Sequence, residues 1–331
     1  MEKLNFAVIG TGNMGKNHVR LLNEIDNVNL VAISDANSEQ LNKISSIYKV
    51  KQYIDYKNML DSEKLDAVII AVPTSMHKKV AFDVIEKGIN ILIEKPIAST
   101  VEDAQDIISK AREKNVKLMV GHVERFNPAV TELKKRIDNK ELGKIYKFSV
   151  ARSSPFPARI LDVGVVIDLA VHDLDIISNI NNSRITHIYA QTEKRIHSSN
   201  EDMLCSQLSF ENGVIGLLNI DWLTPVVIRE LSITGEKGMF KLNYLTQELY
   251  FYKNSASEDY DYSSSILSVT AGDMMKLNIQ KQEPLRLELE SFIDCIKENK
   301  DPKVTGDQGL LALELALKIL ESSRTKSVIK L

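Results

Sequence analysis

The stretch FAVIGTGNMGKNHVRLL, residues 6–22, sets three glycines between an apolar run and a segment able to be a helix. Gly10, Gly12 and Gly15 fit the spacing G-x-G-x-x-G, where a strand at residues 4–9 should hand over to a helix at residues 14–23. Alone the spacing says little, because glycines gather in any tight turn. Its surroundings decide the fold.

Downstream, strand-like runs at residues 28–34, 65–72, 90–94 and 116–120 alternate with helix-like runs at 38–47, 77–87 and 101–114. Ser38 is the expected N-cap of the second helix. The strand runs are apolar on both faces, which predicts a parallel sheet covered by helices on both sides, a doubly wound α/β domain. In that setting the glycines stand where a dinucleotide's pyrophosphate meets helix N-terminal amides. Gly10 permits the tight turn, Gly12 lets backbone approach phosphate and Gly15 lets helix and strand pack closely, with Thr11, Asn13 and Met14 completing the loop. Asp35 ends the second strand 20 positions after Gly15, where a carboxylate can accept hydrogen bonds from ribose hydroxyls and repel a 2′-phosphate. The following Ala36-Asn37-Ser38-Glu39 offers no arginine, so NAD is favoured over NADP.

The bulk properties leave room for more than this domain. A chain of 331 residues, 44% hydrophobic, is long enough for two cores. With 42 Lys and Arg against 45 Asp and Glu, the net charge of -3 gives no global reason to expect nucleic acid or an anionic membrane as partner. Cys205 and Cys295 have neither metal-like nor redox-like spacing and read as reduced thiols. A strand begins within a few residues of the start, and no apolar run approaches the roughly 20 residues of a membrane span. The expectation is a soluble, cytoplasmic protein.

Two further segments carry chemistry. Ala71-Val72-Pro73-Thr74-Ser75-Met76-His77 lies at the carboxyl end of one strand and Glu94-Lys95-Pro96 at the end of the next, where ligands of open α/β sheets bind. Pro96 biases Lys95 away from helix, so its amine can project from the strand tip. Asp168 and His172 stand four apart in a segment with helical spacing, hence on one face. An Asp against a His fixes its tautomer and raises its basicity, as a proton acceptor for an alcohol requires. Each residue has a plainer reading: a solvated lysine, a helix N-terminal acid, a core histidine. Their joint presence favours function.

Taken in order, Gly10-x-Gly12-x-x-Gly15, Pro73 with His77, Glu94-Lys95-Pro96, Arg125-Phe126-Asn127-Pro128 and Gly164 followed by Asp168-x-x-x-His172 resemble the Gfo/Idh/MocA family of sugar and cyclitol dehydrogenases over most of the chain. The run from Arg229 to Gly238 and the helix at residues 310–322 resemble later parts of that family. One departure is the single Gly164 where the family often has a glycine pair. The resemblance implies an NAD-binding Rossmann domain at residues 1–121. It also implies a substrate-binding, catalytic and oligomerisation domain at residues 122–331, an α/β domain with a large, mostly antiparallel open sheet. Strand-like runs at residues 145–151, 185–192, 203–210, 214–221, 229–234 and 238–243 support that sheet independently. An uncovered face implies a homodimer or homotetramer.

By the same resemblance, Ala71, Val72, Pro73, His77, Glu94 and Lys95 join the glycine loop and Asp35 in holding NAD. Lys95 and His172 supply acid–base assistance with Asp168 orienting the histidine; which of the two takes the proton stays open. No metal set is visible in the sequence. Glu124, Arg125, Phe126 and Arg159 join Lys95, Asp168 and His172 as expected substrate contacts, Arg159 as a partner for a carboxylate or diphosphate. The run from Pro155 to Asp173 is similar to members acting on nucleotide sugars. It implies oxidation of the 3-hydroxyl of UDP-N-acetylglucosamine to a 3-keto sugar for a partner aminotransferase. A myo-inositol or free-sugar dehydrogenase shares every catalytic element, and a non-catalytic NAD-binding sensor is the alternative of another class.

Overall fold

The computed structural model describes residues 3–157, 163–254 and 272–331. Its first strand, β1 (Leu4–Ile9), pairs in parallel with neighbours on both sides. From it α1 (Asn13–Glu24) leads to β2 (Val28–Ser34), and α2 (Ser38–Tyr48) to β3 (Lys51–Tyr53). Next, α3 (Tyr56–Ser62) leads to β4 (Ala67–Ile70), α4 (His77–Glu86) to β5 (Asn90–Glu94), and α5 (Val101–Glu113) to β6 (Leu118–Gly121). The six strands lie in the order β3-β2-β1-β4-β5-β6, all parallel, so the winding reverses between β1 and β4. Carboxyl ends flanking such a reversal leave a crevice for ligands.

Phe6 to Val8 and Ala67 to Ile70 are wholly buried, which is why these strands read as unbroken apolar runs rather than alternating ones. The starts of α2 and α5 follow capping chemistry. Thr100 accepts a hydrogen bond from the Asp103 amide at the start of α5, whose first turn carries Glu102 and Asp103 and whose last carries Lys110 and Arg112, each matched to the helix dipole. The cap of α2 is Asn37, which accepts from the Gln40 amide at 3.1 Å. Ser38, expected as that cap, is the first helical residue instead. The short β3 and α3 had too little periodicity to be read from sequence.

The second sheet has nine strands. After α6 (Pro128–Asp138) come β7 (Ile145–Ser153), α7 (Val171–Asn181), β8 (Ile185–Glu193), β9 (Met203–Phe210) and β10 (Ile215–Asp221). These are followed by β11 (Ile228–Gly235), β12 (Gly238–Asn243), β13 (Glu248–Lys253) and β14 (Met274–Lys276). With the terminal β15 (Ile329–Lys330), the order is β14-β13-β12-β11-β7-β10-β9-β8-β15, antiparallel throughout except for β7 beside β10. One face packs Phe148, Val150, Leu204, Leu231 and Ile233 against α6 and α7. Along the strands the alternate residues are exposed or half-exposed, as a one-sided antiparallel sheet requires.

The chain forms two compact units, Met1–Val123 with Glu283–Glu314, and Glu124–Gln282 with Leu315–Leu331. The expected boundary after residue 121 had assigned everything beyond it to the second domain. The structure instead returns α8 (Pro284–Lys297) and the first half of α9 (Gly306–Thr325) to the first unit. Phe292 of α8 stands edge-on to Phe6 of β1, ring centroids 6.1 Å apart. A helix's apolar stripe can be read from sequence, but which of two cores it joins cannot.

Candidate active site

At the carboxyl end of the first sheet lies a cleft of about 870 Å³, lined by Gly10, Gly12, Asp35, Ala71, Val72 and Pro73 among others. Gly10 has φ of 90°, and a Cβ on Gly15 would stand 1.8 Å from the Gly10 carbonyl oxygen, so neither position admits a side chain as the turn is built. Gly12 differs. A Cβ there would meet nothing within 4 Å, so the protein's own packing does not demand a glycine. Space left open at the cap of α1, with no side chain satisfying the helix's first amides and Lys16 and Asn13 lining the same cleft, suits an anionic ligand group.

Asp35 is fixed in place. Its Oδ2 accepts hydrogen bonds from the Thr11 amide at 2.6 Å and the Thr11 hydroxyl at 2.9 Å, and its Oδ1 from the Asn37 amide at 2.8 Å. Thr11 is therefore buried behind the acid, while Asn13 and Met14 are exposed at the mouth of α1. Oδ1, with one such bond, keeps acceptor capacity for a hydroxyl in the cleft. The residues fit the adenosine end of a nicotinamide dinucleotide.

His77 is buried, with Nε2 3.0 Å from the Val72 carbonyl and Nδ1 3.0 Å from that of Pro96, and burial pushes its pKa down. It ties the segment carrying Val72 and Pro73 to the one carrying Lys95. Glu94 is also buried, its Oε1 2.8 Å from His18 Nε2. Lys95, half-buried, follows directly on β5.

The second unit carries the other expected residues. Arg125 is buried in a fork with Asp175, both bonds 2.6 Å, and Phe126 is in the core, so of that trio only Glu124 is partly exposed. Asp168 lies in a π-helical turn, Val166–Ala170, that runs into α7, rather than in a regular α-helix as its spacing predicts. Such widened turns recur at functional sites. Gly164 opens this segment, and a Cβ on it would lie 2.1 Å from the Glu201 carboxylate, which accepts the Val166 amide at 3.1 Å. Glu201 gave no signal in sequence, because its partner is 35 residues away.

Around α7, most side chains are buried. Arg152 forks onto Asp173 at 2.5 and 3.0 Å, lies 3.5 Å from Glu124, and stacks 4.9 Å over the Tyr244 ring. Burial opposes the Arg152 charge, and Asp173 and Glu124 more than offset it, holding its pKa above the usual arginine value. Asp173 and Asp175 each face an arginine, and Asp168 and His172 of the same segment are half-buried. Phe156 turns toward Trp222 and His197, centroids 6.1 and 5.8 Å away. Arg159 lies outside the described residues.

A glycine-turned cleft over a parallel switch point, with an acid locked at the end of the second strand, defines a dinucleotide-binding protein. Residues 4–122 match an oxidoreductase family's NAD-binding Rossmann fold, and residues 134–331 match its C-terminal alpha/beta domain. The chain belongs to the Gfo/Idh/MocA oxidoreductase family, and its cofactor is NAD. It is 25% identical over 324 residues to UDP-N-acetylglucosamine 3-dehydrogenase of Acidithiobacillus ferrooxidans, covering 96% of this chain and 97% of that one. To scyllo-inositol 2-dehydrogenase (NAD(+)) of Bacillus subtilis it is 26% identical over 346 residues, covering 100% and 97%. The solved structure of the Acidithiobacillus ferrooxidans enzyme superposes with a TM-score of 0.88 at 24% identity, covering 98% of this chain and 99% of that one. The WlbA dehydrogenase of Bordetella pertussis, in complex with NADH and UDP-GlcNAcA, gives 0.82 at 24% identity, covering 100% and 99%.

Proposed function

We propose that the protein oxidises a ring hydroxyl of a nucleotide sugar, the 3-hydroxyl of UDP-N-acetylglucosamine, to a ketone. Asp168 and His172, half-buried where the π-helical turn runs into α7, carry the dehydrogenase reading, and similarity to a UDP-N-acetylglucosamine 3-dehydrogenase over nearly the whole chain supports the choice of sugar. Bound NAD supplies the hydride acceptor at nicotinamide C4. The hydroxyl proton goes to His172 or Lys95, with Asp168 holding the imidazole in the competent tautomer. The Lys95 ammonium stabilises the charge that develops on the sugar oxygen. The keto product suits a partner aminotransferase, and the two free cysteines fit a reducing, cytoplasmic setting. A second copy covering the open face of the nine-stranded sheet completes the assembly we propose.

The test is NADH absorbance with NAD and a panel of UDP-N-acetylglucosamine, myo- and scyllo-inositol and free hexoses. Turnover of the UDP-sugar is expected; turnover of inositol alone moves the reading to a cyclitol dehydrogenase, and turnover of nothing supports an NAD-binding sensor. Lys95→Met should lower kcat by about 10²- to 10⁴-fold with NAD affinity within about twofold of wild type. Parallel loss of NAD affinity would make Lys95 a cofactor or structural residue instead.

A further inference from the structure

Arg229 of β11 pairs directly with Arg152 of β7 in the antiparallel register. It falls in phase with Leu231 and Ile233, whose side chains are in the core. Two guanidinium groups therefore share the helix-covered face as cross-strand neighbours, an arrangement that is destabilising unless anions offset it. Arg152 has its anion in Asp173. Arg229 makes no ion pair among the described residues, and its hydrogen bonds there run from Nη1 to the carbonyls of Ser153 and Ile228, each 3.3 Å. Its Nε and Nη2 donors meet no described acceptor. Burial and Arg152 push its pKa down, while Asp173, Glu124 and Asp168 draw it up, so Asp168 is within its electrostatic reach. Burial disfavours the charge of this half-buried arginine, and a bound anion would offset that cost.

We propose that Arg229 is a substrate-binding residue that takes an anionic group, phosphate or carboxylate, carried by the sugar. The proposal rests on the dehydrogenase reading above. It assigns to β11 the role that the sequence suggested for Arg159. A guanidinium fixed on a strand offers two parallel donors to such an oxyanion without the ordering cost of a loop arginine.

The experiment compares wild type, Arg229→Gln and Arg229→Lys, each checked for cooperative thermal unfolding. Substrates are UDP-N-acetylglucosamine, its uronic acid UDP-GlcNAcA and myo-inositol, and binding of UDP alone is measured by calorimetry. Arg229→Gln should raise KM for the anionic sugars about 10- to 150-fold with a smaller effect on kcat, and Arg229→Lys should recover part of the loss. A larger loss for the uronic acid than for UDP-N-acetylglucosamine assigns Arg229 to the carboxylate. Equal losses, with UDP binding weakened as well, assign it to the diphosphate. A KM within twofold of wild type for both anionic sugars overturns the proposal and leaves the dehydrogenase reading standing, and so does a wild type that oxidises myo-inositol alone. If wild type oxidises nothing, the dehydrogenase reading fails by itself, and Arg229 is then judged on UDP-sugar binding. Binding lost in Arg229→Gln upholds it, and binding that is absent or unchanged overturns it.

Discussion

Glu288 of α8 is wholly buried, and neither of its carboxyl oxygens meets a partner among the described residues. Its charged neighbour is Glu94, already engaged with His18. Burial, reinforced by Glu94, holds the Glu288 pKa well above its ordinary value, so it is protonated where an exposed glutamate is ionised. The unfolded chain then binds fewer protons than the native one at pH above about 4.3, and stability falls as pH rises until the folded pKa is passed. Below about pH 4.3 the contribution is fully present. Glu288→Gln removes this slope. Denaturant unfolding across pH 4 to 9 should show the stability difference moving in favour of the variant as pH rises; a pH-independent difference would mean Glu288 titrates alike in both states. Such a residue was not legible in sequence, since Glu288 looks like any helix-surface acid until a second element closes over it. Asp35 was legible because its partners, Thr11 and Asn37, belong to the same local motif. Arg152, Asp173 and Arg229 were not, because Arg152 and Arg229 meet through β-sheet register and Asp173 reaches Arg152 from a helix packed over the sheet.

The turn between β1 and α1 separates the demands of folding from those of binding. A methyl on Gly15 would sit 1.8 Å from the Gly10 carbonyl, inside any contact distance and against backbone that cannot swing away, whereas one on Gly12 meets open space. Gly15→Ala should therefore destabilise at or beyond the top of the about 1–3 kcal/mol typical of overpacking. Gly12→Ala should unfold within about 0.5 kcal/mol of wild type yet bind NAD at least about tenfold more weakly. Thermal unfolding and NAD titration of the two variants check the pair, and equal effects on both measurements would show that the loop acts as one structural unit. Strands with strong periodicity, such as β2 and β5, were legible to the residue, while the π-helical turn at Asp168 was not. Gly164 and Glu201 meet beside it, and no local pattern encodes that meeting.

Across the whole molecule the sequence foretold two α/β domains with parallel and antiparallel sheets, and missed that Glu283–Glu314 rejoins the first. Chain order carries no information about which core a late amphipathic helix completes. The nine-stranded sheet carries exposed or half-exposed residues at alternate positions on one face, and their chemistry bears on what can cover it. At the centre of that face Ser149, Tyr189, Cys205, Gln207, Leu217 and Asn219 surround a shallow depression, without a charge among them. Tyr189 and Leu217 are each 40% exposed. Ion-lined surfaces repel their own copies when brought together by a two-fold axis; a neutral, partly apolar one does not. The open strands β7, β10, β9 and β8 also give a regular surface that a second sheet can meet face to face. Wild type should therefore sediment as a dimer or tetramer of the 37.3 kDa chain. Leu217→Glu places a carboxylate in the middle of this face, where burial against another copy is costly, and should shift the population toward monomer at micromolar protein. Cofactor affinity should be unaffected, because the cleft of the first unit has its own lining. Sedimentation velocity decides the matter: a monomeric wild type removes the oligomer, and an oligomer indifferent to Leu217→Glu moves the interface to another surface.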